Sequence, residues 1–240
     1  MIHDDPDALV PLKRAKKVKP VAQKFDNLSV TPIKALNHAQ HQMIHSYGEG
    51  YHILADGVAG TGKSFISTYL ALQDVFHRKV EKIVFLRSVV PTRDIGFLPG
   101  SLEERTQPYW GLYRDHVNML CDSGTAWDSL MRKGVISFET TSFMRGKTWS
   151  DSVIIMDEIQ NNSVKETFTA LTRVGSNSRV IICGDRRQTD LPAAESSWEY
   201  LKKIINKTTG LFDTVTFTYK DIVRSDFVKQ IIIADSEIPR

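Results

Sequence analysis

The sequence lacks the features that mark several whole classes of protein. Its 240 residues hold only two cysteines, Cys121 and Cys183, far apart and without a CxxC companion. That excludes a disulfide framework and a thiolate zinc site. Cys183 closes the apolar run VIIC at 180–183 and reads as a buried thiol. The seven histidines are scattered without metal-ligand spacing. No apolar run approaches the roughly 18 residues of a membrane span. The opening MIHDDPDALVPLKRAKK places acids first and has no apolar stretch, so it is not a secretory leader. A reducing cytoplasm is the expected compartment.

Charge of one sign is also scarce. The formal net charge is +3, too small to imply a nucleic-acid partner by itself. Its distribution is uneven, since Lys13, Arg14, Lys16, Lys17, Lys19 and Lys24 fall together with no acid between them. Such a stretch is either a solvated tail or an arm that touches phosphate backbones. Residues 1–25 contain three prolines and no helical or strand period, which predicts a basic, disordered tail. Residues 26–240 are expected to form a single domain.

Within that domain short β-branched runs alternate with longer helical stretches. Strands are predicted at 51–55, 82–86, 135–139, 152–156, 179–183 and 213–217. Helices are predicted at 37–47, 63–76, 105–121, 163–172, 197–205 and 226–234, with a further short one between Gly124 and Gly134. Apolar strands separated by helices imply βαβ crossovers and a buried, mainly parallel sheet with helices on both faces. The segment 89–100, with two prolines and two glycines, reads as a long structured loop.

Three motifs carry chemistry. Gly57-Val58-Ala59-Gly60-Thr61-Gly62-Lys63-Ser64 follows a predicted strand and opens a helix at Phe65, the context a phosphate loop requires. Backbone N–H groups of such a loop and the helix N-terminus favour a β-phosphate, and glycines allow its close approach. Lys63 would reach the β- and γ-phosphates of ATP, and the Ser64 hydroxyl would ligate Mg²⁺. Second, an apolar strand ends in Asp157-Glu158. Asp157 would hold the metal and Glu158 would activate the attacking water. An acid pair after a strand can also be an ordinary helix cap, but its order after a phosphate loop favours catalysis. Third, Gln188 stands just past the run 180–183 and is a candidate γ-phosphate sensor.

Taken in order, the motifs resemble the PhoH family and, through it, the superfamily 1 helicases. The resemblance spans residues 34–235 and rests on GVAGTGKS, RSVVPTRDIGFLPGSLEER at 87–105 and PYW at 108–110. It continues in SFMRGKTWSDSVIIMDEIQN at 142–161, LTRVG at 171–175, VIICGDRRQTDLP at 180–192 and DIVRSDFVKQII at 221–232. The resemblance implies a three-layer αβα, RecA-like P-loop ATPase that uses ATP and Mg²⁺. It implies action on RNA or single-stranded DNA as a motor or helicase, in a homo-oligomeric ring, taken as hexameric. Gln40 matches the family's adenine-reading glutamine; an amide pairs well with the adenine edge. Departures are Ser64 for a common threonine, Lys147 for an arginine, Ile159 for an alanine and Ser225 for a histidine. They fit a phage-borne or otherwise divergent member.

A lone RecA-like core lacks the second domain that would supply an arginine to the γ-phosphate. The expectation is therefore an arginine from a neighbouring subunit, with Arg224, Arg145 and Arg173 as candidates. Arg87, Arg93 and Lys147, with Arg145 and Phe97, are the candidate nucleic-acid contacts. Competing readings are a P-loop kinase, which Glu158 and Gln188 disfavour, and a nucleotide-gated switch that binds a protein partner.

Overall fold

The computed structural model describes residues 28–88, 102–141, 144, 146–189, 191 and 196–238, and only the backbone of 102–107. The basic stretch 13–24 and the loop at 89–100 lie outside the described residues. The described residues form six strands, β1 (His52–Gly57), β2 (Lys82–Arg87), β3 (Ile136–Thr140), β4 (Ser152–Asp157), β5 (Arg179–Gly184) and β6 (Phe212–Phe217). The same described residues form seven α-helices, α1 (His38–Gly48), α2 (Lys63–Phe76), α3 (Leu102–Leu120), α4 (Ala126–Arg132), α5 (Val164–Leu171), α6 (Trp198–Lys207) and α7 (Asp226–Glu237). Every predicted element is present, with ends displaced by at most three residues. Among the described residues no helix is long and apolar enough to cross a membrane.

The strands pair in parallel throughout, in the order β3-β2-β4-β5-β1-β6. Alternation along each strand divides the core. Ile53, Phe85, Ile155 and Ile181 pack against α1, α2, α3 and α4. Leu54, Val84, Ile154 and Ile182 face the other way, onto α5, α6 and Trp149. Both faces are covered over the central strands, so β2, β4 and β5 read as unbroken apolar runs, while the edge strand β6 alternates. This is the three-layer αβα arrangement expected.

Local signals fix the helix starts. Asn37 caps α1 by accepting the Gln40 N–H, and Ser163 with Glu166 makes a reciprocal capping box on α5. Helix α2 starts differently: Gly62, at φ 86°, turns the chain straight out of a loop into the helix. The strand order then positions the site. β5 lies between β1 and β4, so the ends of all three strands share one edge, with Gly184 between Gly57 and Asp157. Parallel pairing puts every βα connection at that edge, where ligands of open α/β sheets bind.

At the first residue of β1, His52 Nδ1 accepts the Val180 N–H at 3.0 Å, and its ring packs on Phe212 at 5.1 Å. Burial, reinforced by the Arg179 charge, pulls the imidazole down to about 4. Between that value and 6.5 the unfolded chain binds a proton that the folded one refuses, so stability rises with pH across this window. The His52 contribution is fully present above about pH 6.5 and is lost toward pH 4, a change of up to about 3 kcal/mol. His52→Asn, whose side-chain oxygen can accept the same N–H, is expected to flatten this part of the profile. Urea denaturation at stepped pH measures it.

Candidate nucleotide-binding site

β1 delivers residues 57–62 to the sheet edge, and three of these residues need glycine. A Cβ on Gly57, at φ 140°, would stand 1.9 Å from the Phe217 carbonyl oxygen of β6. One on Gly60 would meet Arg224 Cγ at 3.0 Å, and one on Gly62 would meet Gln40 Nε2 at 2.7 Å. The loop is also tied internally, with Thr61 Oγ1 donating to the Val58 carbonyl at 2.8 Å. Lys63 Nζ donates to the carbonyls of Gly57 at 2.6 Å and Val58 at 2.8 Å, so its ammonium lies across the mouth of its own loop.

Asp157, at the end of β4, is buried and accepts three hydrogen bonds. Ser64 Oγ donates to Oδ2 at 2.7 Å, Tyr113 Oη donates to the same oxygen at 2.8 Å, and the Glu158 N–H donates to Oδ1 at 3.0 Å. The two predicted metal ligands, Ser64 and Asp157, are thus in direct contact. Glu158 takes the left-handed conformation, φ 54°, at the start of a 3-10 turn over Ile159–Asn161. For a residue with a Cβ that conformation is strained, by about 1–3 kcal/mol, and such strain concentrates at functional sites. Its carboxylate accepts from Gln160 Nε2. Burial first, and the Asp157 charge second, push the Glu158 carboxyl above the usual carboxylate range; Arg87, Gln160 and Lys63 pull the other way. A less acidic carboxylate is a better proton acceptor.

The sensor candidate is nearby. Gln188 lines the same cavity, and its N–H caps the turn by bonding the Asp185 carbonyl at 3.0 Å. Asp185 itself reaches into the phosphate loop, where its Oδ2 accepts the Ala59 N–H at 3.0 Å and its Oδ1 the Arg187 N–H at 3.0 Å. The cavity joining these groups measures about 530 Å³, within the usual range for small-molecule sites, about 300–1,000 Å³. Its walls run from Gln40, Phe65 and Leu36 past Lys63 and Glu158 to Arg224. Loop glycines that admit no Cβ, an ammonium and a hydroxyl–carboxylate pair in one cleft fit a nucleoside triphosphate with Mg²⁺.

Gln40 is buried against the loop: its Nε2 donates to the Thr61 carbonyl at 2.9 Å and its Oε1 accepts the Leu36 N–H at 2.9 Å. Each end of the amide keeps one further hydrogen-bonding position, which is what reading an adenine edge requires.

The arginines and lysines fall differently from the simplest sequence expectation. Arg224 lies against the phosphate loop of its own chain, held there by the Val223 N–H, which bonds the Gly60 carbonyl at 3.0 Å. Arg173 donates to the Lys147 carbonyl at 2.9 Å beside Trp149, ahead of β4 and at the opposite end of the strands from the site. Arg145 and Arg93 lie outside the described residues, as does Phe97. Arg87 is in register with Asp157 on the adjacent strand, where its charge faces Tyr113, Glu158 and Asp157. Lys147 is ion-paired with Glu139 at 3.2 Å.

Sequence reasoning missed Tyr113, Gln160 and Asp185. Tyr113 is fully enclosed, stacks on Phe85 with ring centroids 4.7 Å apart, and has its hydroxyl pushed far above the usual range by burial and then by Asp157. Nothing in the local pattern of α3 separates it from an ordinary core aromatic. Asp185 and Gln160 were visible as motif letters, but their partners are set by the strand order.

Comparison with known proteins identifies the family. A family model described as PhoH-like protein matches residues 32–235. The PhoH-like protein of Synechocystis is 31% identical over 206 residues, 84% of this chain and 62% of that one. Protein PhoH of Escherichia coli K12 is 31% identical over 223 residues, 91% of this chain and 62% of its own. The Bacillus subtilis PhoH-like protein is 32% identical over 179 residues, 74% of this chain and 56% of its own. The chain therefore spans about three-fifths of the length of these relatives. Among solved structures, the Sulfolobus solfataricus SWI2/SNF2 ATPase core in complex with dsDNA aligns with TM-score 0.43 at 14% identity, covering 74% of this chain and 42% of that one. The Pif1 helicase of Candida albicans aligns with TM-score 0.39 at 16% identity, covering 83% and 44%. The chain belongs to the PhoH-like family.

Proposed function

We propose that this chain, through a single domain at residues 26–240, binds ATP with Mg²⁺ and hydrolyses the bond to the terminal phosphate. The observation that carries this reading is the 2.7 Å contact of Ser64 with Asp157, made in a cleft that also holds Lys63 and Glu158. The loop N–H groups from Val58 to Phe65, at the positive end of α2, would hold the β-phosphate. Lys63 would exchange the carbonyls of Gly57 and Val58 for phosphate oxygens, and Ser64 with Asp157 would hold Mg²⁺. Bound there, the metal neutralises charge on the β- and γ-oxygens. Glu158 accepts a proton from the attacking water, which Gln188 orients. Gln40, with the apolar wall around Phe65, receives the adenine.

The closeness of Arg224 to Gly60 of its own chain supports a role for it in offsetting the γ-phosphate charge in cis. The ring proposed from the family resemblance, taken as a homo-hexamer, would then be needed to grip a polymer rather than to lend Arg224. Arg145 remains the candidate for a contribution in trans. RNA or single-stranded DNA is the proposed polymer. That proposal is supported by the resemblance and by the basic stretch 13–24, with Lys147 and Arg93 as contacts; Arg87 is better placed to serve the acid pair.

Mg²⁺-dependent phosphate release, measured with and without single-stranded RNA and DNA, tests the reading. Glu158→Gln should lower kcat by about 10²–10⁴-fold while ATP binding persists. Absence of any turnover in the unaltered chain would sink the ATPase. Turnover indifferent to both polymers would favour the switch, and full activity in a monomer would sink the ring.

Arg224→Ala is expected to lower kcat by about 10³-fold or more. If Arg224 works within its own chain, mixing Arg224→Ala and Glu158→Gln chains restores nothing. Recovered turnover in the mixture would place the arginine across a subunit interface.

A further inference from the structure

Gln160 is fully buried two residues beyond Glu158, and each polar atom of its side chain is engaged. Its Nε2 donates to Glu158 Oε2 at 2.5 Å and to the Gln188 carbonyl at 3.1 Å. Its Oε1 accepts the Asp185 N–H at 3.1 Å. Only one orientation of the amide satisfies these partners; reversed, it would set oxygen against oxygen twice and N–H against N–H once. The Gln160 backbone carbonyl accepts the hydroxyls of Thr189 at 3.1 Å and Ser196 at 3.0 Å. Asp185 extends the chain of contacts to Ala59 in the phosphate loop.

Space around the amide is closed as well. A Cβ on Gly184 would come within 2.9 Å of Gln160 Oε1 and 2.6 Å of Trp198 Cζ3. A buried glutamine with its hydrogen bonds met is an ordinary core feature. The identity of the partners sets this one apart: the carboxylate of the proposed base, the backbone of the proposed sensor and the residue that holds the phosphate loop.

We infer that Gln160 is a positioning residue that fixes the Glu158 carboxylate and locks it to the turn at 185–189, so that base and sensor are set together. The inference rests on the ATPase reading. It requires that Gln160 act through Glu158 and that the turn respond to the terminal phosphate only while the amide bridge is present.

The test uses Gln160→Met, close in shape and without polar ends, and Gln160→Asn, which is too short to span Glu158, Asp185 and Gln188 and adds no buried charge should the first variant fold poorly. Removing such an orienting contact is expected to lower kcat by about 10–100-fold, with the KM for ATP changed by less than about threefold. In a Glu158→Gln background, Gln160→Met should cost little more. Fully additive losses, or a KM that rises in step with a falling melting temperature, would overturn the inference and leave Gln160 a packing residue.

Hydrogen exchange provides a readout independent of turnover. The extra protection that a non-hydrolysable ATP analogue gives over ADP at 185–189 should vanish in both variants; if it persists, the inference fails. An unaltered chain that shows this protection without turnover would refute the ATPase while leaving the coupling in place.

Discussion

The Asp157 carboxylate, buried at the edge of the sheet, must be matched by donors, and it draws them from three parts of the fold. Ser64 comes from the first turn of α2, Tyr113 from the middle of α3, and an N–H from the next residue along its own chain. An ionised group in so little water costs several kcal/mol if left unpaired. Helices α2 and α3 therefore cannot slide over the sheet without exposing that cost. The same demand places a hydroxyl beside a carboxylate, which is the pair a magnesium ion needs.

Around this anchor the strand order does the remaining positioning. Because β5 separates β1 from β4, the turn after Gly184 falls between the phosphate loop and the acid pair rather than outside them. Asp185 can then hold Ala59 on one side while Gln160 reaches it from the other. No single strand or helix contains the site; it joins the ends of three strands and the start of α2 to Gln40 on α1, Tyr113 on α3 and Arg224 ahead of α7. Parallel pairing is what puts those ends on one edge.

The central strands were legible because both faces of the sheet are covered there, which turns β2, β4 and β5 into plain apolar runs, whereas the edge strand β6 alternates. The phosphate loop was legible because glycine is the only residue its backbone and Phe217 admit. Tyr113 was not, since an aromatic at core spacing on α3 looks the same whether or not its hydroxyl meets a buried carboxylate. Arg87 shows the converse. Its charge at the head of a loop read as a surface contact, and only the register with Asp157 shows that it faces inward toward two acids. For Arg224 the sequence did not show that a chain reversal at Tyr219–Asp221 brings it back over Gly60 of its own chain.

That reversal makes the last helix a lever. α7 buries none of its residues; Ile232 Cδ1 would be 3.5 Å from a Cβ on Gly60, Val223 just ahead of the helix donates to the Gly60 carbonyl, and the Ser236 carbonyl accepts from Arg187. Any displacement of α7 would therefore act on both walls of the cleft, through Val223 on the phosphate loop and through Arg187 on the turn after β5.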